Sequence, residues 1–325
     1  MDEDRLPINP DDVAAAAGRI AGVANRTPVF TSRALDERLG ATVYLKAESF
    51  QRGGAFKFRG AYNTVASLAP EDLARGVVAS SSGNHAQALA IAARLAGAEA
   101  TIFMPRDAPA SKRAATEGYG ARVIEFDRYG DDRETLVAEL VARDGLTPVH
   151  PYNDPRIMAG AGTATRELLE QAGPLDLVLI PAGGGGQLAG GAVAAAAVAE
   201  PPRVIGVEPA AIGQWRASLD AGRPAQVEVR RTIADGQQLP SPGELTFAVV
   251  KQLAENVVGV TDEQMLAAMG YLFERQKLVV EPSGSSALAA VLSGVLDVHG
   301  LRVGVVLSGG NIAVERFVSL LAGAG

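Results

Sequence analysis

The chain contains no cysteine among its 325 residues. Disulfides, thiolate metal sites and cysteine nucleophiles are therefore excluded, and the composition suits a reducing compartment, with the cytoplasm the expected location. It has no basic tract: 30 basic residues stand against 37 acidic ones, a net charge of −7, which argues against nucleic acid as a partner. No apolar run is long enough to cross a membrane. The longest, around Gly190 to Ala199, falls far short of the ~18–20 residues a spanning helix needs. The start of the chain, Met1 to Pro10, is acidic and polar, unlike a signal peptide. A fixed-period repeat and a low-complexity linker are also missing.

Glycine, by contrast, is plentiful. There are 37 in the chain, well above the average share of ~7%. Glycine costs entropy inside helices and strands, so the excess demands a backbone reason.

Runs rich in Val and Ile alternate with alanine-rich helical patterns. Strands are predicted at Thr42–Leu45, Gly76–Ala79, Ala100–Met104, Arg122–Glu125, Leu177–Ile180, Arg203–Val207 and Val303–Leu307. Helices are predicted after Asn9-Pro10 and after Lys57, at Asn84–Leu95, Ser111–Glu117, Asp132–Ala142 and Pro155–Gln171, after Gln187, at Thr261–Gln276 and Ser285–Leu292, and at the end. An irregular stretch covers Gly222–Pro242. Such alternation with short connections argues an α/β architecture: two α/β units with largely parallel sheets around one cleft. Residues 76–152 carry their own strand–helix set and are expected to form a small mobile domain. Residues 1–75 plus 153–325 make the large one.

Four segments carry chemistry. Gly183, Gly184, Gly185 and Gly186 follow an apolar strand and precede a helix. Consecutive glycines there let N–H groups converge on an anion, a phosphate cradle, and their entropic cost weighs against a merely flexible turn. No Gly-Lys-Ser/Thr follows, so this is not a P-loop, and a dinucleotide fingerprint fits poorly. Lys57 lies between Phe56 and Phe58 just after a glycine turn. Desolvation there lowers a lysine pKa and makes the amine nucleophilic, although a snorkelling surface lysine has the same local sequence. Ser80-Ser81-Ser82-Gly83-Asn84-His85 follows a strand and suits a carboxylate, or a plain helix cap. Ser308, at the carboxyl end of a buried strand, faces the crevice where α/β proteins bind ligands. Together the four supply what a phosphorylated aldehyde cofactor acting on an amino acid needs.

These residues, with Glu281-Pro282-Ser283-Gly284, His150-Pro151-Tyr152, Gly160-Ala161-Gly162-Thr163, Val207-Glu208-Pro209 and Ala234-Asp235-Gly236, occur in an order that resembles fold-type II pyridoxal-phosphate enzymes. The match is best to the threonine/serine dehydratase and serine racemase group and runs from about Pro28 to the C-terminus. The resemblance implies two three-layer α/β domains, as in tryptophan synthase β, and pyridoxal 5′-phosphate as cofactor. By resemblance, Lys57 bonds the cofactor aldehyde carbon, Phe56 packs on its ring, and Asn84 meets its phenolic oxygen. Gly183 to Gly186 hold its phosphate, and Ser308 meets the pyridine nitrogen. Glu281 belongs to the same cofactor set. Ser81, Ser82, Asn84, His85 and Gly236 surround the substrate, and Arg133 takes part in closure.

The implied reaction is dehydration of a β-hydroxy amino acid, L-threonine or L-serine, to a 2-oxo acid and ammonia, with Lys57 as base. A serine at position 308, rather than an acid, leaves the ring a weaker electron sink and suits elimination better than transamination. Serine racemisation (with Ser82 donating on the opposite face), 3-hydroxyaspartate dehydration, β-replacement and a noncatalytic binding role stay open. The short chain suggests the catabolic type without an appended regulatory domain, assembled as a homodimer or homotetramer. Relatives that hold a divalent cation use the acid matching Glu208, a carbonyl four residues on and an acid six residues on. The last is Gln214 here, so no metal is expected. The usual Gly-Gln-Gly-Thr reads Gly160-Ala161-Gly162-Thr163.

Overall fold

Ten strands occur in the computed structural model, which describes residues 6–108, 110–127 and 130–323; the side chains of Ser111 and Arg133 lie outside the description. They are β1 (Val29–Phe30), β2 (Thr42–Ala47), β3 (Val77–Ser80), β4 (Ala100–Pro105), β5 (Arg122–Phe126), β6 (Thr147–Pro148), β7 (Leu177–Pro181), β8 (Arg203–Pro209), β9 (Asn256–Val260) and β10 (Arg302–Leu307). The larger sheet has the order β1-β2-β10-β7-β8-β9 and the smaller β5-β4-β3-β6. Every pairing is parallel except β1 with β2.

Each sheet is buried on both faces, which is why its strands read as continuous apolar runs rather than alternating ones. On β7, Leu177 and Leu179 join the core on one side while Val178 and Ile180 join the core on the other. Helices Asp262–Tyr271 and Pro282–Leu292 cover the first face; Pro155–Ala172 and Gly186–Ala196 cover the second. The smaller sheet repeats the pattern, with Val77 and Ala79 facing one core and Val78 the other. The helix Lys57–Val65 lends Phe58, Ala61 and Val65 to the first of these cores.

Capping explains where several helices begin. Asn9 forms a reciprocal capping box with Asp12 ahead of Pro10–Ile20, and Asp154 caps Pro155–Ala172 through the Arg156 and Ile157 N–H groups. Close helix contact explains part of the glycine excess. A Cβ on Gly190 would stand 2.0 Å from the Met158 carbonyl oxygen, and one on Gly162 would stand 2.4 Å from that of Gly190. Gly160-Ala161-Gly162-Thr163 is thus a packing surface on two sides: Gly162 lies against Gly186–Ala196, Gly160 lies against Lys57–Val65 with its Cβ position 2.6 Å from the Arg59 carbonyl oxygen, and Ala161 is buried between.

The strands and helices expected from sequence are present. Not foreseen were β1, β6, β9 and the helices Arg33–Leu39, Pro70–Arg75, Gln214–Ala221 and Glu244–Leu253. β1 and β6 are two residues long, and β9 is a half-exposed edge strand interrupted by Gly259. Gln214–Ala221 and Glu244–Leu253 start after glycines, Gly213 and Gly243, which offer no capping side chain, so their usual local start signal is missing. The helix expected over 261–276 ends at Tyr271 and continues as a wider π turn, Leu272–Gln276.

Candidate active site

Because β2, β10 and β7 are neighbours and parallel, their carboxyl ends lie side by side. Glu48–Lys57 follows β2, Ser308 follows β10 and the tetraglycine follows β7. Ala55 pairs with Gly309 in an isolated bridge, and the Phe56 N–H donates to the Ser308 carbonyl at 3.0 Å. Ligands of open parallel sheets sit at such an edge. β3 of the smaller sheet ends in Ser80 and leads through the serine loop to Asn84, whose side chain reaches Glu281 and Asn311 beside that edge.

Lys57 is held at the start of its helix by buried charge. Arg59, one face of the same turn, binds Glu48 through Nε (2.7 Å) and Nη2 (2.8 Å), and Glu167 through Nη1 (2.8 Å). Glu167 also accepts from buried Lys46 at 2.7 Å. Burial opposes the Arg59 charge, but these carboxylates more than offset it and raise its pKa. The Lys57 Nζ donates to the Pro151 carbonyl at 2.7 Å and lies 5.1 Å from the Phe56 ring centroid. Among the described residues no carboxylate faces it, so burial of the amine acts unopposed and lowers its pKa to about 8.

The tetraglycine is turned by what grips its carbonyls. The Gly183 oxygen accepts from Trp215 Nε1 (2.7 Å) and Gln214 Nε2 (2.9 Å); the Gly184 oxygen accepts from Thr246 Oγ1 (2.7 Å). The Gly185 oxygen accepts from the Ala189 N–H at 2.8 Å inside the following helix. In a trans peptide the C=O and the next N–H point in opposite directions. The N–H groups of Gly184, Gly185 and Gly186 are thereby directed away from these partners, and none donates to a protein atom among the described residues. Gly185 has φ +96°, open chiefly to glycine, and a Cβ on Gly184 would stand 2.3 Å from the Tyr152 ring. Unpaired N–H groups at the start of Gly186–Ala196 form an anion cradle.

Asn84 Nδ2 donates to Glu281 Oε1 at 2.6 Å, and Asn84 Oδ1 accepts from Asn311 Nδ2 at 2.9 Å. Asn311 also donates to the Gly53 carbonyl at 2.6 Å, tying the glycine turn before Lys57 to both. Burial raises Glu281 to about 8, with the Asp235 carboxylate adding to the rise, so it is mostly neutral at pH 7. Ser308 is buried, and its hydroxyl, like that of Ser82, has no protein partner among the described residues. Ser81 Oγ accepts from the Gly83 N–H at 3.3 Å. The Gly236 N–H donates to Ser283 Oγ at 3.0 Å.

His85 is buried, with Nε2 3.0 Å from the Val149 carbonyl. A carbonyl only accepts, so Nε2 carries the proton, and burial with nearby Lys57 drives the pKa down to about 3. Its Nδ1 is left as a buried acceptor without a partner among the described residues. Arg133 begins the helix Arg133–Asp144, but its side chain lies outside the described residues. Sequence reasoning did not find the Pro151 carbonyl, Trp215 or Thr246. Trp215 is the only tryptophan in the chain and is fully buried, a signal that marks importance but not its partner.

A lowered amine, a cradle of free N–H groups and a buried hydroxyl at one sheet edge fit an aldehyde cofactor with a phosphate tail and a ring nitrogen. A family model described as "Pyridoxal-phosphate dependent enzyme" matches residues 20–309. The chain belongs to the pyridoxal-phosphate dependent enzyme family. It is 45% identical over 312 residues to an L-threo-3-hydroxyaspartate ammonia-lyase of Saccharomyces cerevisiae, covering 96% of each chain. It is 43% identical to a serine racemase of Schizosaccharomyces pombe, covering 96% of this chain and 97% of that one. Among solved structures, maize serine racemase superposes with a TM-score of 0.93 at 36% identity, covering 98% of each chain. The fold, the cofactor and membership in a group of ammonia-lyases and racemases agree with the reading from sequence. Among the described residues no helix is long and apolar enough to cross a membrane.

Proposed function

We propose that this enzyme is an ammonia-lyase of β-hydroxy α-amino acids, converting L-threonine or L-serine to the 2-oxo acid and ammonia. The observation that carries the reading is the neutral partner offered to the cofactor ring, the Ser308 hydroxyl, in the same cleft as a lysine whose amine is partly free of its proton. Bound pyridoxal phosphate supplies an electron sink for the charge left on Cα. Lys57 Nζ takes the Cα proton, and the Pro151 carbonyl orients that amine. Ser308 would meet the ring nitrogen without a full negative charge, and the weaker sink would favour elimination, with the β-hydroxyl leaving as water on receiving the proton that Lys57 Nζ took from Cα. Gly184, Gly185 and Gly186 hold the phosphate. Asn84, fixed by Glu281 and Asn311, meets the ring's phenolic oxygen, and Ser81 and Ser82 line the substrate carboxylate.

Residues 76–152 act in this proposal as the small domain closing on a body of 1–75 plus 153–325. Its support is that β3 to β6 form a sheet of their own. The 45% identity to an L-threo-3-hydroxyaspartate ammonia-lyase favours that amino acid as a second substrate reading. The free Ser82 hydroxyl favours serine racemisation as a side activity.

The test is 2-oxo-acid release from L-serine, L-threonine and L-threo-3-hydroxyaspartate, with D-serine followed in parallel. Release from at least one L-β-hydroxy amino acid is expected, and Ser82→Ala should keep dehydration while losing D-serine formation. Cofactor-loaded protein that releases no 2-oxo acid from any of them, or that only exchanges the β-substituent for an added thiol, overturns the proposal.

A further inference from the structure

The cation site implied by resemblance does not fit this chain. Both oxygens of buried Glu208 are engaged: Oε2 accepts from the Trp215 N–H at 2.9 Å and Oε1 from the Arg216 N–H at 3.0 Å. The carboxylate thereby caps the helix Gln214–Ala221, which has no side-chain cap of its own at Gly213. The positive end of that helix and its free N–H groups balance the charge a cation would otherwise balance. The second acid is absent, and among the described residues no three of His, Asp and Glu gather to hold a metal ion.

We propose that Gln214 stands in for the cation: with Trp215 it braces the first peptide of the phosphate cradle, so that cofactor binding is independent of divalent metal. An acid at 214 would set a carboxylate oxygen against the Gly183 carbonyl oxygen, and a cation between them is the means of reconciling two acceptors. The amide reconciles them itself, because Nε2 donates directly to that oxygen at 2.9 Å. The opposite amide orientation would oppose two oxygens, which fixes the assignment. Oε1 is buried without a partner among the described residues, so the side chain is held by its NH₂ end. Trp215 Nε1 occupies the second lone pair of the same carbonyl at 2.7 Å. Locking the Gly183 oxygen to the rear directs the Gly184 N–H forward into the cradle. Gln214 is therefore a positioning residue, not a catalytic one.

The holoenzyme is treated with EDTA, then supplied with Mg²⁺, Ca²⁺ or Mn²⁺, and its pyridoxal-phosphate dissociation constant is read from visible absorbance. The wild-type constant is expected to change less than about twofold. Gln214→Ala should weaken cofactor binding about tenfold, as expected for one lost buried hydrogen bond, with no recovery on adding metal. Gln214→Asp should weaken it similarly in EDTA and recover when a cation is supplied. Terbium luminescence sensitised by Trp215, the only tryptophan, reports a cation arriving at the site: silent in wild type, saturable in Gln214→Asp. A wild-type protein that loses cofactor on chelation or gives a saturable terbium signal overturns the proposal, whatever the variants do. So does Gln214→Ala with undiminished cofactor affinity.

Discussion

An ordinary lysine is almost wholly protonated at pH 7. Lys57, lowered to about 8, is roughly one-tenth neutral, on the order of 300-fold more free amine than at the ordinary value of 10.5. Loading of pyridoxal phosphate onto the apoprotein should therefore accelerate with rising pH, reach half its maximum near 8 and level off above it, as stopped-flow absorbance will read. Lys57→Ala should abolish turnover and the cofactor's lysine-bound visible band while the far-UV circular dichroism stays native. Glu281 titrates the other way. It releases its proton near 4.5 when unfolded but near 8 when folded, so its contribution to stability is complete below about 4.5 and is lost as pH rises through about 8. Wild type should lose on the order of a few kcal/mol over that window relative to Glu281→Gln, which keeps the shape of the neutral acid. Urea unfolding at pH 5 and pH 8.5 measures the difference, and equal slopes for both proteins would contradict a protonated Glu281.

Elements meet here through glycine, and the obstacle to a side chain differs from place to place. At Gly190 the obstacle is backbone, the Met158 carbonyl 2.0 Å from an added Cβ. Gly190→Ala must push two helices apart and should cost about 1–3 kcal/mol or more in urea unfolding. At Gly184 the obstacle is the root of the Tyr152 ring, Cγ and Cδ1 each 2.3 Å from an added Cβ, so the ring must shift together with its own backbone attachment. Gly184→Ala should cost about 1–3 kcal/mol in urea unfolding and also weaken cofactor binding at least about tenfold, since the new methyl crowds the cradle. Cofactor affinity, measured beside stability, separates glycines kept only for packing from glycines kept for a ligand.

Across the whole molecule, Lys112 on the helix Ala110–Gly118 reaches Asp235 beside Gly236 at 2.8 Å, spanning the two sheet systems. With 31% and 49% of the side chains exposed, the pair is worth only about 0–1 kcal/mol of folding stability. In the proposed closure of residues 76–152 on the larger body, this pair would tie the two together. Lys112→Glu should leave the melting temperature within a few degrees but raise KM more than it lowers kcat. The double exchange Lys112→Glu with Asp235→Lys should restore KM, and a KM that stays raised in the double variant rules the pair out.

Parallel α/β alternation was legible because strands buried on both faces, such as Leu177–Pro181, are unbroken apolar runs, and because caps such as Asn9 and Asp154 act within a few residues. The groups proposed to react were legible for a similar reason: a lysine after a glycine turn and four glycines between strand and helix are local patterns with local causes. The sequence by itself thus determined which candidate groups follow β2, β7 and β10. Only the tertiary structure decided how they are aimed. The Pro151 carbonyl that holds Lys57, and the grip of Gln214, Trp215 and Thr246 on the glycine carbonyls, join residues far apart in the chain. A peptide's direction depends on which distant donor captures its oxygen, and no periodicity or spacing along the chain carries that information.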